Sequence, residues 1–133
     1  MADKENKRIL LVEDEESLAQ TIKLNLEIAG QYEVQILLNA KDILSVVNKF
    51  RPDIILLDLL LPEIGGIEVC QMLNKDVVGR GIPIIVLSAL DKDADIRKAY
   101  KLGVVDYFIK PIDMQKLVVS IEKHIKYKKS EET

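Results

Sequence analysis

A chain of 133 residues has the length of one ordinary domain, and its net charge of −3, with acids and bases interspersed, provides no basic stripe for nucleic acid or anionic lipid. No apolar run is long enough for a signal peptide core or a membrane span, so we expect a cytoplasmic protein without direct nucleic-acid binding or membrane insertion. The single cysteine and single histidine exclude a disulfide framework and a structural zinc site.

Two kinds of segment alternate along the chain. Short apolar runs predict strands buried on both faces, and they lie at Ile9–Val12, Val34–Leu37, Ile54–Leu57, Ile84–Leu87 and Val104–Ile109. Apolar residues at helical spacing run from Leu18 to Ala29, Ala40 to Val47, Ile67 to Val77 and Met114 to Ile125. The more polar stretch from Asp91 to Leu102 is also predicted as a helix, because Gly103 stands at the position of a C-terminal cap, as Gly30 does after the first helix.

Five repeats of strand and helix predict an α/β fold of the doubly wound class. Regular alternation implies a parallel five-stranded sheet with right-handed crossovers and helices on both faces, and we expect the flavodoxin-like strand order 2-1-3-4-5. The chain is predicted to be a single domain over residues 1–133, with a folded core at about residues 7–127. Residues 1–6 and 128–133 are expected to be disordered.

Carboxylates follow two strands that should be neighbours in this sheet. Glu13 and Asp14 end the first strand, and Asp58 ends the third, between the apolar runs of RPDIILLDLLLP. In open α/β sheets the carboxyl ends of the strands meet at a crevice where strand order reverses. Like charges placed together there repel unless a proton or a cation joins them, so the sequence predicts a Mg²⁺ site.

The fourth and fifth strands present polar groups at the same edge. Ser88 ends the fourth strand with a hydroxyl, and Lys110 follows the fifth with an ammonium. Around an aspartate and a metal ion, these groups suit a phosphoryl group: Lys110 neutralises its oxygens, Ser88 donates a hydrogen bond, and Asp58 is the nucleophile. Each residue alone has a simpler interpretation, such as a helix cap for Ser88 or a surface position for Lys110, but the four strand ends together favour the site.

The motifs LLVEDEE, PDIILLDLLLPEIGG, PIIVLSAL and GVVDYFIKP resemble those of the receiver domain of two-component response regulators, and the match runs from about Lys7 to Ile125. The resemblance implies that Asp58 accepts a phosphoryl group from the phosphohistidine of a sensor histidine kinase or phosphotransfer protein. It also implies that Mg²⁺ is held by Asp14, Asp58 and the backbone carbonyl of Leu60, with Glu13 acting through water. Glu13 replaces the aspartate of many relatives.

The same resemblance implies a switch rather than an enzyme. Ser88 would move toward the phosphoryl group, Tyr107 would follow it inward, and Lys110, before a cis Pro111, would pair with the phosphoryl group. The surface of the fourth helix, fifth strand and fifth helix would then repack and control an unknown output domain or protein. Partner choice there would involve Arg97, Lys98, Lys101, Lys116, Glu122 and Lys123. Dimerisation through this surface is not favoured, because Val105 and Asp106 stand where relatives carry an acidic pair.

Two positions near the site bear on how long the phosphoryl group is held. Leu60 and Leu90 lie two residues after Asp58 and Ser88, and both are apolar. Side chains that cannot form hydrogen bonds cannot orient an attacking water, so we expect slow loss of phosphate.

Other classes remain open at this point. A flavodoxin-like cofactor binder would need a Gly-, Ser- and Thr-rich phosphate loop where this chain has acids. An acid-nucleophile phosphatase would need an acid/base where Leu60 stands. A receiver-like interaction module that is not phosphorylated is the third alternative. The chain is expected to be either a stand-alone receiver or part of a longer regulator.

Overall fold

The computed structural model describes residues 6–132, with side chains described as far as Ile125. No helix in this part of the chain is long and apolar enough to cross a membrane. The strands are β1 (Lys7–Val12), β2 (Tyr32–Leu37), β3 (Ile54–Leu57), β4 (Ile84–Ser88) and β5 (Asp106–Ile109). The helices are α1 (Glu16–Ala29), α2 (Ile43–Phe50), α3 (Gly66–Asn74), α4 (Asp93–Lys101) and α5 (Met114–Glu132), and a turn of 3-10 helix spans Gly79–Gly81.

All five strands are parallel and lie in the order β2-β1-β3-β4-β5, as predicted. The central strand β3 is completely buried along its four residues. This burial explains its uninterrupted apolar sequence, because a strand covered by helices on both faces has no polar side. The sheet places the carboxyl ends of β1 and β3 side by side, with Val12 opposite Leu57.

Alternate residues of each strand supply two separate apolar layers. In β1, Ile9 and Leu11 pack with α1 and α5, whereas Leu10 and Val12 pack with α2 and α3 on the other face. This is the two-residue period of a strand buried on both faces. Cys70 is fully buried in α3, and burial raises the pKa of its thiol to about 11.

Predicted boundaries are wrong at three elements. The second helix was expected from Ala40 to Val47, but α2 spans Ile43–Phe50. The α3 pattern was expected to continue to Val77, but the helix ends at Asn74 and Val77 is 76% exposed. The Asp76 carboxylate accepts hydrogen bonds from the amides of Val78 and Gly79, and this local turn competes with further helix. The last strand was expected from Val104, but β5 begins at Asp106.

The ends of the helices follow the glycine pattern in part. Gly103 has a φ of +95° just after α4, the left-handed conformation that glycine adopts without strain. Gly30 caps α1 in an extended conformation instead. Helix α5 continues past Tyr127, where the folded core was expected to end. Disorder was expected for residues 1–6 and 128–133; of these, residues 1–5 and 133 lie outside the described residues, and the expectation stays a prediction.

Candidate functional site

The sheet brings Asp58 to the end of β1. Its amide donates to the Val12 carbonyl at 3.0 Å, which extends the β1–β3 pairing by one residue. The Glu13 amide donates to the Leu37 carbonyl at 2.9 Å and extends the β1–β2 pairing in the same way. The backbone therefore fixes both carboxylate-bearing residues at one edge of the sheet, as the strand order predicted.

Glu13, Asp14 and Asp58 form a compact cluster. Each offers a carboxylate oxygen, and these oxygens lie within 4.8 Å of one another. Glu13 is 1% exposed and Asp58 4% exposed, whereas Asp14 faces solvent. Buried carboxylates need a compensating cation, and an all-oxygen donor set suits Mg²⁺ better than a softer metal. The residues present fit a hard divalent ion.

Lys110 joins this cluster from the end of β5. Its amide donates to the Ser88 carbonyl at 2.9 Å, and its Nζ lies 2.8 Å from Glu13 Oε1 and 2.9 Å from Asp58 Oδ2. Burial by itself lowers the pKa of the ammonium, but the hydrogen bonds to Glu13 and Asp58 outweigh it, so the pKa of Lys110 is raised above its usual value. The ammonium therefore stays charged beside Asp58. The Lys110–Pro111 peptide bond is cis, as the resemblance implied.

Glu13 makes contacts that its sequence position did not predict. Its long side chain reaches the Lys110 ammonium directly, and its Oε2 accepts a hydrogen bond from the Glu15 amide at 3.0 Å. Its expected action on Mg²⁺ through water stays a prediction. Burial raises the pKa of the Glu13 carboxyl, against the opposing effect of these two hydrogen bonds. Glu13 thus orients the lysine as well as contributing an oxygen to the cluster.

Ser88 and Tyr107 meet at the loop after β4. Ser88 is fully buried, and its Oγ accepts the Leu90 amide at 3.3 Å. The Tyr107 hydroxyl donates to the Leu90 carbonyl at 2.8 Å, and the ring packs against the core layer of α2 and α3. Burial, with Ser88 opposing it, raises the pKa of Tyr107. Leu90 therefore connects the hydroxyl and the aromatic side chain through its backbone.

The loop after β3 holds Asp58 on its other side. The Leu60 amide donates to Asp58 Oδ1 at 3.0 Å, so the Leu60 backbone lies against the carboxylate. Gly66, at the start of α3, approaches so closely that a Cβ there would lie 2.6 Å from the Asp58 carbonyl oxygen and 2.4 Å from Leu59 Cα. The glycine pair GG was visible in the sequence, but only the packing shows that Gly66 must lack a side chain.

Asp106, one residue before Tyr107, makes hydrogen bonds that the sequence did not predict. Asp106 Oδ2 accepts a hydrogen bond from Ser120 Oγ at 2.6 Å, and Asp106 Oδ1 accepts the Tyr107 amide at 2.9 Å. His124 Nδ1 lies 2.8 Å from the Ser120 carbonyl oxygen, one turn earlier in α5. These contacts link β5 to α5 away from the acidic cluster.

Three carboxylates, a hydroxyl and an ammonium at the carboxyl edge of a 2-1-3-4-5 parallel sheet define a signalling class of doubly wound α/β proteins. The sequence matches the family model of the response regulator receiver domain over residues 9–122, and the chain belongs to this family. It is a receiver domain of the kind found in two-component systems.

Two relatives and one solved structure illustrate the similarity. The DNA-binding dual master transcriptional regulator RpaA of Synechocystis sp. is 33% identical over 86% of this chain and 47% of its own length. The alkaline phosphatase synthesis transcriptional regulatory protein PhoP of Bacillus subtilis is 39% identical over 80% of this chain and 43% of its own length. A CheY-like receiver domain protein from Methanospirillum hungatei superimposes with a TM-score of 0.86 at 25% identity, covering 95% of this chain and 98% of that one. The chain spans about half the length of these curated relatives.

Proposed function

We propose that the chain is a phosphorylation switch in which Asp58 accepts a phosphoryl group from the phosphohistidine of a sensor histidine kinase or phosphotransfer protein. The phosphorus–nitrogen bond of the donor breaks, and a bond forms between phosphorus and a carboxylate oxygen of Asp58. The observation that carries the proposal is the approach of the Lys110 ammonium to 2.9 Å from this carboxylate, inside a cluster of three acids. This arrangement balances the charge that a phosphoryl group adds.

Mg²⁺ belongs to the proposal as the partner of the acidic cluster. Asp14, Asp58 and the Leu60 carbonyl would hold it, with Glu13 contributing through water or directly. The ion supplies Lewis-acid charge that reduces the repulsion between the acids and an incoming phosphate. The ion pair with Glu13 fixes the position of the Lys110 side chain. The ammonium therefore stays oriented beside Asp58 when the phosphoryl group arrives.

Ser88 and Tyr107 are the proposed readout of the site. A phosphoryl group on Asp58 offers new acceptor oxygens, and the Ser88 hydroxyl, whose Oγ accepts the Leu90 amide, would turn to donate to them. Since the Tyr107 hydroxyl is bound to the carbonyl of the same Leu90, movement of this loop is transmitted to β5. The surface formed by α4, β5 and α5 would change and control an output, in the cytoplasm.

The kind of output that the switch controls is inferred by analogy with the relatives. RpaA is named as DNA-binding, and PhoP as a transcriptional regulator. We infer that this chain likewise passes the signal to a separate output domain or protein. The receiver itself neither binds DNA nor catalyses the turnover of a substrate in this proposal.

The proposal is tested by incubating the protein with Mg²⁺ and acetyl phosphate and measuring its intact mass. We expect a gain of one phosphoryl group in the wild type and none in Asp58→Asn. Asp42→Asn is the matched control, since Asp42 is an exposed aspartate before α2 whose side chain makes no capping hydrogen bond. It should be phosphorylated like the wild type.

Two further outcomes separate the alternatives. No Asp58-dependent mass gain, with acetyl phosphate or with a phosphorylated histidine kinase as donor, would overturn the proposal and leave a non-phosphorylated interaction module. Steady turnover of a small phosphate ester such as p-nitrophenyl phosphate would instead indicate a phosphatase.

A further inference from the structure

An open groove lies beside the acidic cluster, between α1 and the segment from Lys110 to Met114 that joins β5 to α5. Its volume is about 490 Å³, many times the roughly 30 Å³ that one water molecule occupies in the liquid. Leu18 lines the groove on the side of α1, and Ile112 and Met114 line it on the other side. A space of this volume accommodates a small organic molecule.

Lys110 belongs both to this groove and to the acidic cluster. Its Nζ lies 2.9 Å from Asp58 Oδ2 and 2.8 Å from Glu13 Oε1, and the residue also lines the groove. Glu15, another lining residue, donates its amide to Glu13 Oε2 at 3.0 Å. The groove therefore begins beside the carboxylate that accepts the phosphoryl group in the proposed function.

The walls of the groove are apolar and are supported from behind. Leu18, Ile112 and Met114 are half-buried, and they pack against the core layer of α1 and α5. Packing of this kind limits how far these side chains can move to fill the groove. The polar lining residues other than Lys110 are Glu15 and Thr21, and both are exposed, so their side chains can stay in water.

The groove combines a cation at one end with apolar walls beyond it. The Lys110 ammonium attracts an anionic group, and the walls remove apolar surface of a bound molecule from water. When a small donor passes its phosphoryl group to Asp58, its leaving group lies close to this end of the groove. An acyl phosphate with a short aliphatic chain matches both features, whereas a donor with a polar leaving group gains nothing from the walls.

We propose that the groove binds the aliphatic part of a small acyl phosphate, so that longer aliphatic acyl phosphates phosphorylate the protein more efficiently than acetyl phosphate does. In the transfer, the bond between phosphorus and the acyl oxygen breaks, and a bond forms between phosphorus and a carboxylate oxygen of Asp58. The electron pair leaves with the acyl oxygen as a carboxylate anion, and no proton is transferred. This inference rests on the proposed function and specifies which small donors the site prefers.

Acetyl phosphate and butyryl phosphate are the matched donors for a test. Their leaving carboxylates differ by two methylene groups but hardly in basicity, so the intrinsic reactivity of the two donors is nearly equal. Full burial of one methylene group strengthens binding about fourfold, so two methylene groups in an open groove should raise the rate constant about fivefold. The second-order rate constant of Asp58 phosphorylation is measured by intact mass, with Mg²⁺ and with donor concentrations below saturation.

Substitutions in and outside the groove test whether it causes the preference. Leu18→Asn places an amide in the wall and should lower the butyryl-to-acetyl ratio of rate constants to about one. Met114→Gln keeps the length of the side chain and should lower the ratio as well, which provides a second variant if Leu18→Asn folds poorly. Leu24→Asn is the matched control, since Leu24 is on the same helix, is 60% exposed and does not line the groove. It should keep the wild-type ratio.

Butylphosphonate locates the binding without any transfer. It carries an aliphatic chain on a phosphonate, whose phosphorus–carbon bond does not break at Asp58. We expect its addition to shift the amide resonances of Leu18, Ile112 and their neighbours in the wild type. The shifts should be smaller at the same concentration in Leu18→Asn.

Equal rate constants for the two donors in the wild type would overturn the inference, as would a wild-type ratio in both Leu18→Asn and Met114→Gln. Loss of the preference in Leu24→Asn, or butylphosphonate shifts located away from the groove, would also contradict it. A dimer that sedimentation detects and that Leu18→Asn dissociates would identify a second copy as the occupant instead. Phosphorylation by neither donor is a different result, because it would overturn the proposed function itself.

Discussion

The Glu13 carboxylate holds the Lys110 ammonium at 2.8 Å, although 97 positions separate the two residues in the chain. Side chains of this pair are only 2% and 20% exposed, so water does little to weaken the interaction. An aspartate at position 13 would be one methylene shorter. The additional reach of Glu13 is therefore what allows one carboxylate to contact Lys110 while also accepting the Glu15 amide.

Substitution of Glu13 separates its charge from its length. Glu13→Gln keeps the length but removes a negative charge from the acidic cluster, so we expect the affinity for Mg²⁺ to fall about tenfold. Glu13→Asp keeps the charge and should retain most of that affinity, while losing stability by about 1 kcal/mol as the hydrogen bond to Lys110 weakens. Titration calorimetry and urea denaturation measure the two effects. Equal Mg²⁺ affinity in Glu13→Gln and wild type would contradict this role.

The raised pKa of Lys110 predicts a pH dependence of stability. Because the folded-state pKa lies above the ordinary 10.5, the ammonium contributes its full stabilisation below that value and loses it as the pH rises through the folded-state pKa. Urea denaturation of wild type and Lys110→Met from about pH 9 to about pH 12 measures this contribution. Subtracting the variant removes the effects of groups common to both proteins, such as Cys70, whose pKa is about 11. A difference in unfolding free energy that stays constant above pH 10.5 would contradict the assignment.

Gly66 and Gly65 provide a matched pair for testing the loop beside Asp58. A Cβ on Gly66 would meet Leu59 Cα at 2.4 Å, so Gly66→Ala must displace the loop and should cost about 2 kcal/mol of unfolding free energy. It should also slow phosphorylation of Asp58, whose carbonyl oxygen lies in the way. A Cβ on Gly65 has its nearest such neighbour at 3.9 Å, and Gly65 has an ordinary φ of −72°, so Gly65→Ala should be nearly neutral. Similar losses in both variants would show that the close approach is not the cause.

The acidic cluster could be predicted from the sequence because its geometry follows from topology. Once β1 and β3 are parallel neighbours, residues at their carboxyl ends must lie together. The proximity of Asp14 and Asp58 can therefore be predicted from the strand order alone. The alternation of strands and helices predicted a parallel, doubly wound sheet, and the expected strand order 2-1-3-4-5 agrees with the observed pairing of all five strands. Ser88 and Lys110 could be placed at the same edge for the same reason.

Contacts made by side chains across elements could not be predicted in this way. The hydrogen bond from Ser120 to Asp106 depends on the rotation of α5 about its own axis relative to β5. The apolar spacing of α5 defines a broad buried face and does not fix this rotation closely. Similarly, Val77 continued the apolar spacing of α3, and only the competing hydrogen bonds to Asp76 exclude it from the helix. Apolar periodicity predicts the buried face of an element, but it predicts neither the exact end of the element nor which polar groups form hydrogen bonds with each other.

Leu60 and Leu90 differ in how cleanly they test the expected slow loss of phosphate. Leu60 is 52% exposed, and its amide already donates to Asp58, so a polar side chain there can reach a water beside the acceptor without disturbing the core. Leu90 is half-buried and packs against the core layer of α2 and α3, so Leu90→Asn changes packing as well as polarity.

We therefore expect Leu60→Glu to shorten the lifetime of phosphorylated Asp58 by about tenfold to a hundredfold, because a positioned carboxylate can orient an attacking water. The decay is followed by intact mass after removal of the phosphodonor. Leu60→Met is the control, since it changes the side chain without adding a hydrogen-bonding group, and it should decay like the wild type. If Leu60→Glu and Leu60→Met decay at the same rate, the apolar character of this position does not set the lifetime, and access of water must be controlled elsewhere in the site.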